Sequence, residues 1–139
     1  MSRALAFLGA LLLVPALASA QQPCTSDARH VVNEIYRHML ERGTDPGSQD
    51  WVNQLANRRV SVKQVVRAIA VSQEHMQRFG QGNSREAVAN MYRHILGRHP
   101  DDAGLNAASQ VAANRGMTAV VDQFVNSAEY NQSFGDWGV

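Results

Sequence analysis

The sequence predicts an all-α protein made of two tandem copies of a short-helix repeat, packed into one helical domain. Apolar residues recur at i, i+3, i+4 and i+7 in successive segments, which is typical of amphipathic helices. No stretch alternates apolar and polar residues for long enough to predict a strand. The chain also repeats itself, with repeat one over about residues 26–80 and repeat two over about residues 84–135.

The repetition extends through most of both copies. The segment Ile35–Leu40 returns as Met91–Leu96, 56 residues later, and Val65–Val66 returns as Val120–Val121, 55 residues later. A match sustained over most of a segment indicates a duplication. Because a unit of about 50 residues buries too little surface for comfortable stability, we expect the two copies to share one core and unfold as one cooperative unit.

Each copy is predicted to contain four helices. The first carries an apolar stripe in which Tyr36 and Tyr92 occupy the same place, so both rings are expected in the core. Asp45 and Asp101 predict the starts of the second helices, since an N-cap carboxylate accepts from free amides. The valine pairs lie in the third helices. A Phe-Gly pair closes each fourth helix, because glycine suits the left-handed residue that follows a helix.

The start of the chain is predicted to be a signal peptide over residues 1–20. An apolar run, Ala4–Leu13, precedes the small residues Ala18–Ala20, and this order predicts cleavage before Gln21. The apolar run is shorter than the roughly 20 residues of a spanning helix. We therefore expect a domain over residues 21–139 that is secreted or periplasmic and does not insert into a membrane.

Charge and cysteine content restrict the partners. The chain has 13 Lys and Arg against 12 Asp and Glu; without Arg3 of the signal the count is 12 against 12, a net charge of zero. A nucleic-acid partner is not expected, because such proteins carry a basic excess. Cys24 is the only cysteine, so any disulfide is intermolecular and requires an oxidising compartment; the alternative is an incidental thiol. Lipidation is not expected, since Gln22 and Pro23 replace the small residues it needs.

Two motifs carry a resemblance to a known family. The segment Tyr92–Leu105 resembles the Y-R-x-x-L-G-R-x-P-D-x-x-G-L signature of a domain family of unknown function related to phycobilisome linker domains, and Ser127–Gly135 resembles its S-x-E-Y…F-G ending. Copy one departs from the pattern at Glu41 and His75. The resemblance implies a non-catalytic helical module, with no catalytic residue or cofactor to carry over. The predicted export signal argues against a cytoplasmic light-harvesting role.

Three places are candidates for binding. The pairs Arg37-His38 and Arg93-His94 predict a repeated interaction surface; the alternative is that they merely flank a buried tyrosine and point outward. Trp137 lies after the last motif, and it either folds back onto the domain or presents an aromatic anchor to a partner.

The first helix offers a further alternative. His30, Glu34 and His38 lie four residues apart, a spacing that can hold a metal on one helix face, although that face is predicted to be the solvated one. No motif for nucleophilic or phosphate chemistry is present. We predict a non-enzymatic, exported helical domain that acts through protein–protein contacts. The alternative is a periplasmic ligand- or metal-binding protein that uses the histidine-bearing face.

Overall fold

The computed structural model describes residues 25–138, and this range is helical without strands, which confirms the all-α prediction. The predicted signal segment, the cleavage site before Gln21 and Cys24 lie outside the described residues. The eight α-helices of this range are α1 (Thr25–Met39), α2 (Ser48–Ala56), α3 (Val62–Ala70), α4 (Gln73–Phe79), α5 (Arg85–Met91), α6 (Asp102–Arg115), α7 (Met117–Val125) and α8 (Ala128–Ser133). A short 3-10 turn, Gln81–Asn83, joins α4 to α5.

The same contacts recur in both halves. Tyr36 and Tyr92 are 6% and 7% exposed, so both are core residues as predicted. An arginine lies over each ring, with 5.2 Å from the Arg42 guanidinium to the Tyr36 centroid and 5.1 Å in the second half. That arginine also donates from Nη2 to a glutamate Oε2 at 2.8 Å in each half, and the glutamates are Glu74 and Glu129.

Local side-chain chemistry sets most helix ends. The Ser61 hydroxyl accepts from the Gln64 amide at the start of α3, and the Gln64 side chain accepts in return from the Ser61 amide. Asp101 caps α6 as predicted. Asp45 acts differently: α2 begins only at Ser48, because the Asp45 carboxylate and carbonyl first hold the Ser48 amide in a turn.

The two halves meet along α3 and α7. Arg67 on α3 donates to Asp122 on α7 at 2.6 Å, and these two residues occupy equivalent positions of the repeat. Equivalent positions face each other when two copies are related by an approximate two-fold axis. Among residues 25–138, every helix is too short or too polar to cross a bilayer.

One helix departs from regular geometry. After α5 the chain continues in a π-helical turn, Tyr92–Leu96, which ends at Gly97 with a φ of 67°. The equivalent stretch of the first half lies in the regular helix α1 up to Met39. A π turn changes the direction in which side chains leave the helix. It therefore determines where His94 points.

Candidate functional site

The structure separates the predicted interaction residues into two groups. Arg37, His38 and Arg93 are exposed, whereas His94 is only 8% exposed. The prediction of a repeated outward surface is therefore wrong at His94. The reason is the π turn, which directs this ring inward, while its counterpart His38 leaves a regular helix toward solvent. Arg37 donates to Glu34 at 2.9 Å along α1.

His94 belongs to a group of side chains from both halves, in which the two histidines are buried, the phenylalanine is partly buried and the glutamate is exposed. His94 Nδ1 lies 2.9 Å from Nε2 of His75, a fully buried residue, and His94 Nε2 lies 3.2 Å from Glu41 Oε1. The Phe79 ring meets the His94 ring edge to face, with 4.6 Å between centroids. We call Glu41, His75, Phe79 and His94 the histidine cluster.

The environment keeps both imidazoles of the histidine cluster neutral. Burial and, to a smaller extent, repulsion from His94 together lower the pKa of His75 to about 4. Burial also lowers the pKa of His94, although the hydrogen bond to Glu41 opposes this. The hydrogen bond with His94 is the main cause that lowers the pKa of Glu41, so its carboxylate is ionised at neutral pH. An ionised Glu41 accepts from His94 Nε2–H, and His94 Nδ1 then accepts from His75.

Sequence reasoning missed this cluster, although it noted two of its members. Glu41 stands where the second copy has Gly97, and its φ of 49° is the left-handed conformation that favours glycine. His75 stands where the second copy has Tyr130. These two departures of copy one from the family pattern both lie against His94. The sequence signal for the histidine cluster was therefore that copy one differs from copy two at both of these positions.

A cavity of about 310 Å³ opens between the two halves. Glu34, His38 and Arg93 supply its polar groups, and His94 also lines it, whereas Arg37 is not among its lining residues. The structure therefore brings three of the predicted interaction residues to one place. The apolar walls come from Ile35, Met39, Val66, Ile95, Tyr130 and Phe134.

The C-terminal tail folds back toward the first half, while its aromatic ring stays partly exposed. The Asp136 carboxylate pairs with Lys63 Nζ at 2.9 Å, and its carbonyl accepts from the Lys63 amide at 3.2 Å. Trp137 is 42% exposed, with the Arg58 guanidinium 5.9 Å from its ring centroid. Gly138 then lines the cavity. The tail thus folds back onto the domain and still presents an aromatic edge to solvent.

The metal alternative gains no support from the geometry. His38 Nε2 lies 3.5 Å from Glu34 Oε2, so these two groups pair with each other on the exposed face of α1. Across the part of the chain that the structure describes, no three His, Cys, Asp or Glu side chains are arranged to hold a metal ion.

The chain is similar to linker polypeptides of the phycobilisome. It is 33% identical over 116 residues to the 32.1 kDa phycocyanin-associated linker, rod 2, of Synechocystis sp., covering 78% of this chain and 42% of the relative. It is 30% identical over 115 residues to the 32.3 kDa phycocyanin-associated rod linker of Picosynechococcus sp., covering 79% and 40%. Phycobiliprotein ApcE of Aglaothamnion neglectum is 32% identical over 116 residues, covering 78% and 13%. The chain thus spans about two fifths of the rod linkers it matches.

These relatives overturn the predicted location. A secreted or periplasmic protein was expected because residues 1–20 have the pattern of a signal peptide, but the phycobilisome linker relatives are cytoplasmic. The prediction is therefore wrong, and so is the argument it supplied against a light-harvesting connection. An intermolecular disulfide through Cys24 required an oxidising compartment, so its premise falls with the predicted location.

The resemblance in the repeat motifs is confirmed across the whole helical region. The model of the family described as phycobilisome linker polypeptide matches residues 24–139, a range that includes every helix from α1 to α8. At the level of the family, linker polypeptides are structural proteins and not enzymes, in agreement with the absence of catalytic motifs from the sequence. The chain belongs to the phycobilisome linker polypeptide family.

Proposed function

We propose that this chain is a non-catalytic linker module that binds a phycobiliprotein of the phycocyanin type. The observation that carries the proposal is the family match over residues 24–139, together with two relatives whose names describe them as phycocyanin-associated. The chain corresponds to about two fifths of those relatives, so the proposal concerns one binding module and not a complete rod linker.

The binding surface is proposed to lie around the mouth of the cavity. His38 and Arg93 line the cavity, and Gly138 brings the tail with Trp137 to the same place. Arg37 is exposed on α1, one residue before His38. Arginine and tryptophan are enriched among the residues that contribute most binding energy at protein interfaces. This surface therefore supplies both charged groups and an aromatic anchor.

The test is binding of the purified chain to immobilised phycocyanin, measured by biolayer interferometry at low and moderate salt. Arg37→Glu and Trp137→Ala should each weaken binding by at least about tenfold if these side chains are central contacts. Arg115→Glu is the matched charge reversal, since Arg115 is exposed at the end of α6, a helix that packs on α5 and α7. A wild-type chain that does not bind phycocyanin, or variants that bind equally well, would refute the proposal.

We further propose that the two copies form one cooperative unit. Arg67 and Asp122 pair between α3 and α7, and Lys63 holds Asp136 of the tail. The copies are joined only by Gln81–Asn83, which keeps them close. The test is to express residues 25–80 and 81–139 separately and record thermal melts by circular dichroism. Two halves that each melt as sharply as the intact chain would contradict a shared unit.

A further inference from the structure

The cavity and the histidine cluster occupy equivalent places in the two copies. Every member of the histidine cluster has a counterpart at the matching position of the other repeat. All four counterparts line the cavity, and they are Gly97, Tyr130, Phe134 and His38. Equivalent segments of the two repeats thus surround a filled site on one side and an open site on the other.

The difference between the two places has an identifiable cause. In the filled site the π turn directs the His94 ring onto Phe79, and Glu41 adds a carboxylate against that ring. On the open side α1 is regular, so His38 stays exposed. Gly97 also has no side chain to offer where copy one has Glu41. The open site therefore lacks a planar ring and the carboxylate next to it.

From this comparison we infer that the cavity binds a small aromatic carboxylate, with its ring among the apolar walls and its carboxylate at the mouth near Arg93. Tyr130 and Phe134, whose ring centroids lie 5.2 Å apart, supply the aromatic walls. Aromatic rings pack well edge to face or offset against such walls. The filled site already shows a ring and a carboxylate in this environment. The inference rests on the comparison of the two repeats and not on the proposed phycobiliprotein binding, although both use the mouth of the cavity.

Charge at the mouth is compatible with an anion. Arg93 uses Nη2 to donate to Glu41 at 2.8 Å, and the planar guanidinium has further N–H groups that suit a second carboxylate. The carboxylate of Glu34 also lines the cavity, but its charge is offset by Arg37 at 2.9 Å. Both charges at the mouth are thus paired within the protein, and the further N–H groups of Arg93 supply the donors for an incoming carboxylate.

Size limits the ligand. A volume of about 310 Å³ lies at the lower end of the range for small-molecule sites, which is about 300–1,000 Å³. Since a liquid water molecule takes about 30 Å³, the cavity has room for about ten non-hydrogen atoms. Phenylacetate has a ring, a short spacer and a carboxylate within that size, and it is the probe of choice. A ligand of this size is expected to bind with a Kd on the order of 0.1–1 mM.

The first experiment uses the wild-type chain, so it does not depend on the folding of a variant. Phenylacetate is titrated into protein labelled with ¹³C at the methyl groups, and saturable shifts are expected at Ile35, Val66 and Ile95. The neutral 2-phenylethanol should bind more weakly and 2-phenylethylamine more weakly still, because Arg93 attracts an anion. Absence of saturable shifts at the cavity methyl groups, or equal binding of the amine, overturns the inference.

The second experiment fills the cavity with the residue that copy one carries. Glu41 shows that glutamate is accommodated at the equivalent position with a φ of 49°, and a Cβ at Gly97 would lie 3.9 Å from the Phe134 ring, an ordinary contact. Gly97→Glu should therefore weaken phenylacetate binding at least about tenfold. Gly97→Ala introduces the same backbone strain without a carboxylate and should retain affinity within about threefold.

A second pair of variants decides the case if Gly97→Glu does not fold. Arg93→Gln should weaken phenylacetate binding by about tenfold, whereas Arg115→Gln on α6 should leave it unchanged. Equal affinity in both members of either pair overturns the assignment of the carboxylate to the cavity mouth. The ligand in these experiments is a free small acid. If phenylacetate does not bind, the proposal of phycocyanin binding is unaffected, and if phycocyanin does not bind, the proposed phenylacetate site is unaffected.

Discussion

Acidification should destabilise this protein through His75. Burial lowers the pKa of this fully buried histidine from its ordinary value of 6.5 to about 4. As the pH falls, the unfolded chain therefore binds the proton before the folded chain does. The contribution of neutral His75 to stability is complete above pH 6.5 and is lost progressively as the pH falls from 6.5 to about 4.

The size of this loss in stability follows from the difference between the pKa of His75 in the unfolded and in the folded chain. A difference between 6.5 and about 4 corresponds to a loss of about 3 kcal/mol in the free energy of unfolding. The assay is guanidinium denaturation followed by circular dichroism at several pH values from 7 to 4, for wild type and for His75→Phe. The variant lacks the titrating ring, so its loss over this range should be smaller by about 3 kcal/mol.

Subtracting the stability–pH curve of His75→Phe from that of wild type removes the contributions of the carboxylates and the exposed histidines, because both proteins share these groups. His99→Ala, at an exposed position, is the matched control and should lose stability in parallel with wild type. If wild type and His75→Phe lose the same free energy of unfolding between pH 7 and pH 4, the argument from a buried neutral histidine is refuted.

Three further experiments test the core and the histidine cluster. Tyr36→Ala and Tyr92→Ala should each lower the free energy of unfolding by about 3–5 kcal/mol in denaturant melts, because each removes a buried ring. A loss below about 1 kcal/mol at either position would contradict the equivalence of the two tyrosines. Gly104→Ala places a Cβ 2.6 Å from the Tyr92 hydroxyl and should lower the free energy of unfolding by about 1–3 kcal/mol. The control Gly43→Ala meets no atom within 4 Å and should leave stability unchanged. Equal melting temperatures of the two variants would count against the contact with Tyr92. Glu41→Gly removes the carboxylate that raises the pKa of His94, so this pKa should fall in an NMR titration, and an unchanged value would rule out the hydrogen bond.

The helical repeat could be predicted because its signals are local. Apolar periodicity within each copy places Tyr36 and Tyr92 on buried faces, and this pattern does not depend on contacts with the other copy. The serine and aspartate caps act within three residues, as the bond from the Gly104 amide to Asp101 shows. The bond between Lys63 and Asp136 links residues far apart in the chain, and no local pattern predicts that the tail returns there.

The histidine cluster escaped prediction because its geometry depends on the π turn. A regular helix places the residue after Arg93 toward solvent, and the sequence 92–96 carries no breaker that signals a wider turn. The contacts of His94 are with Glu41 and His75, which are distant in sequence. The prediction of a secreted or periplasmic location was wrong for a related reason. A short N-terminal composition pattern contains no information about the family to which the helices belong.

The pair formed by Arg67 and Asp122 has a consequence for assembly. Because these residues are equivalent, joining two first repeats from separate molecules would place arginine against arginine, and joining two second repeats would place aspartate against aspartate. Like charges in direct contact oppose these pairings of identical repeats, whereas the opposite charges favour pairing of a first repeat with a second repeat. A single charge difference between equivalent positions thus sets which repeat pairs with which, and it disfavours association of two chains through identical repeats.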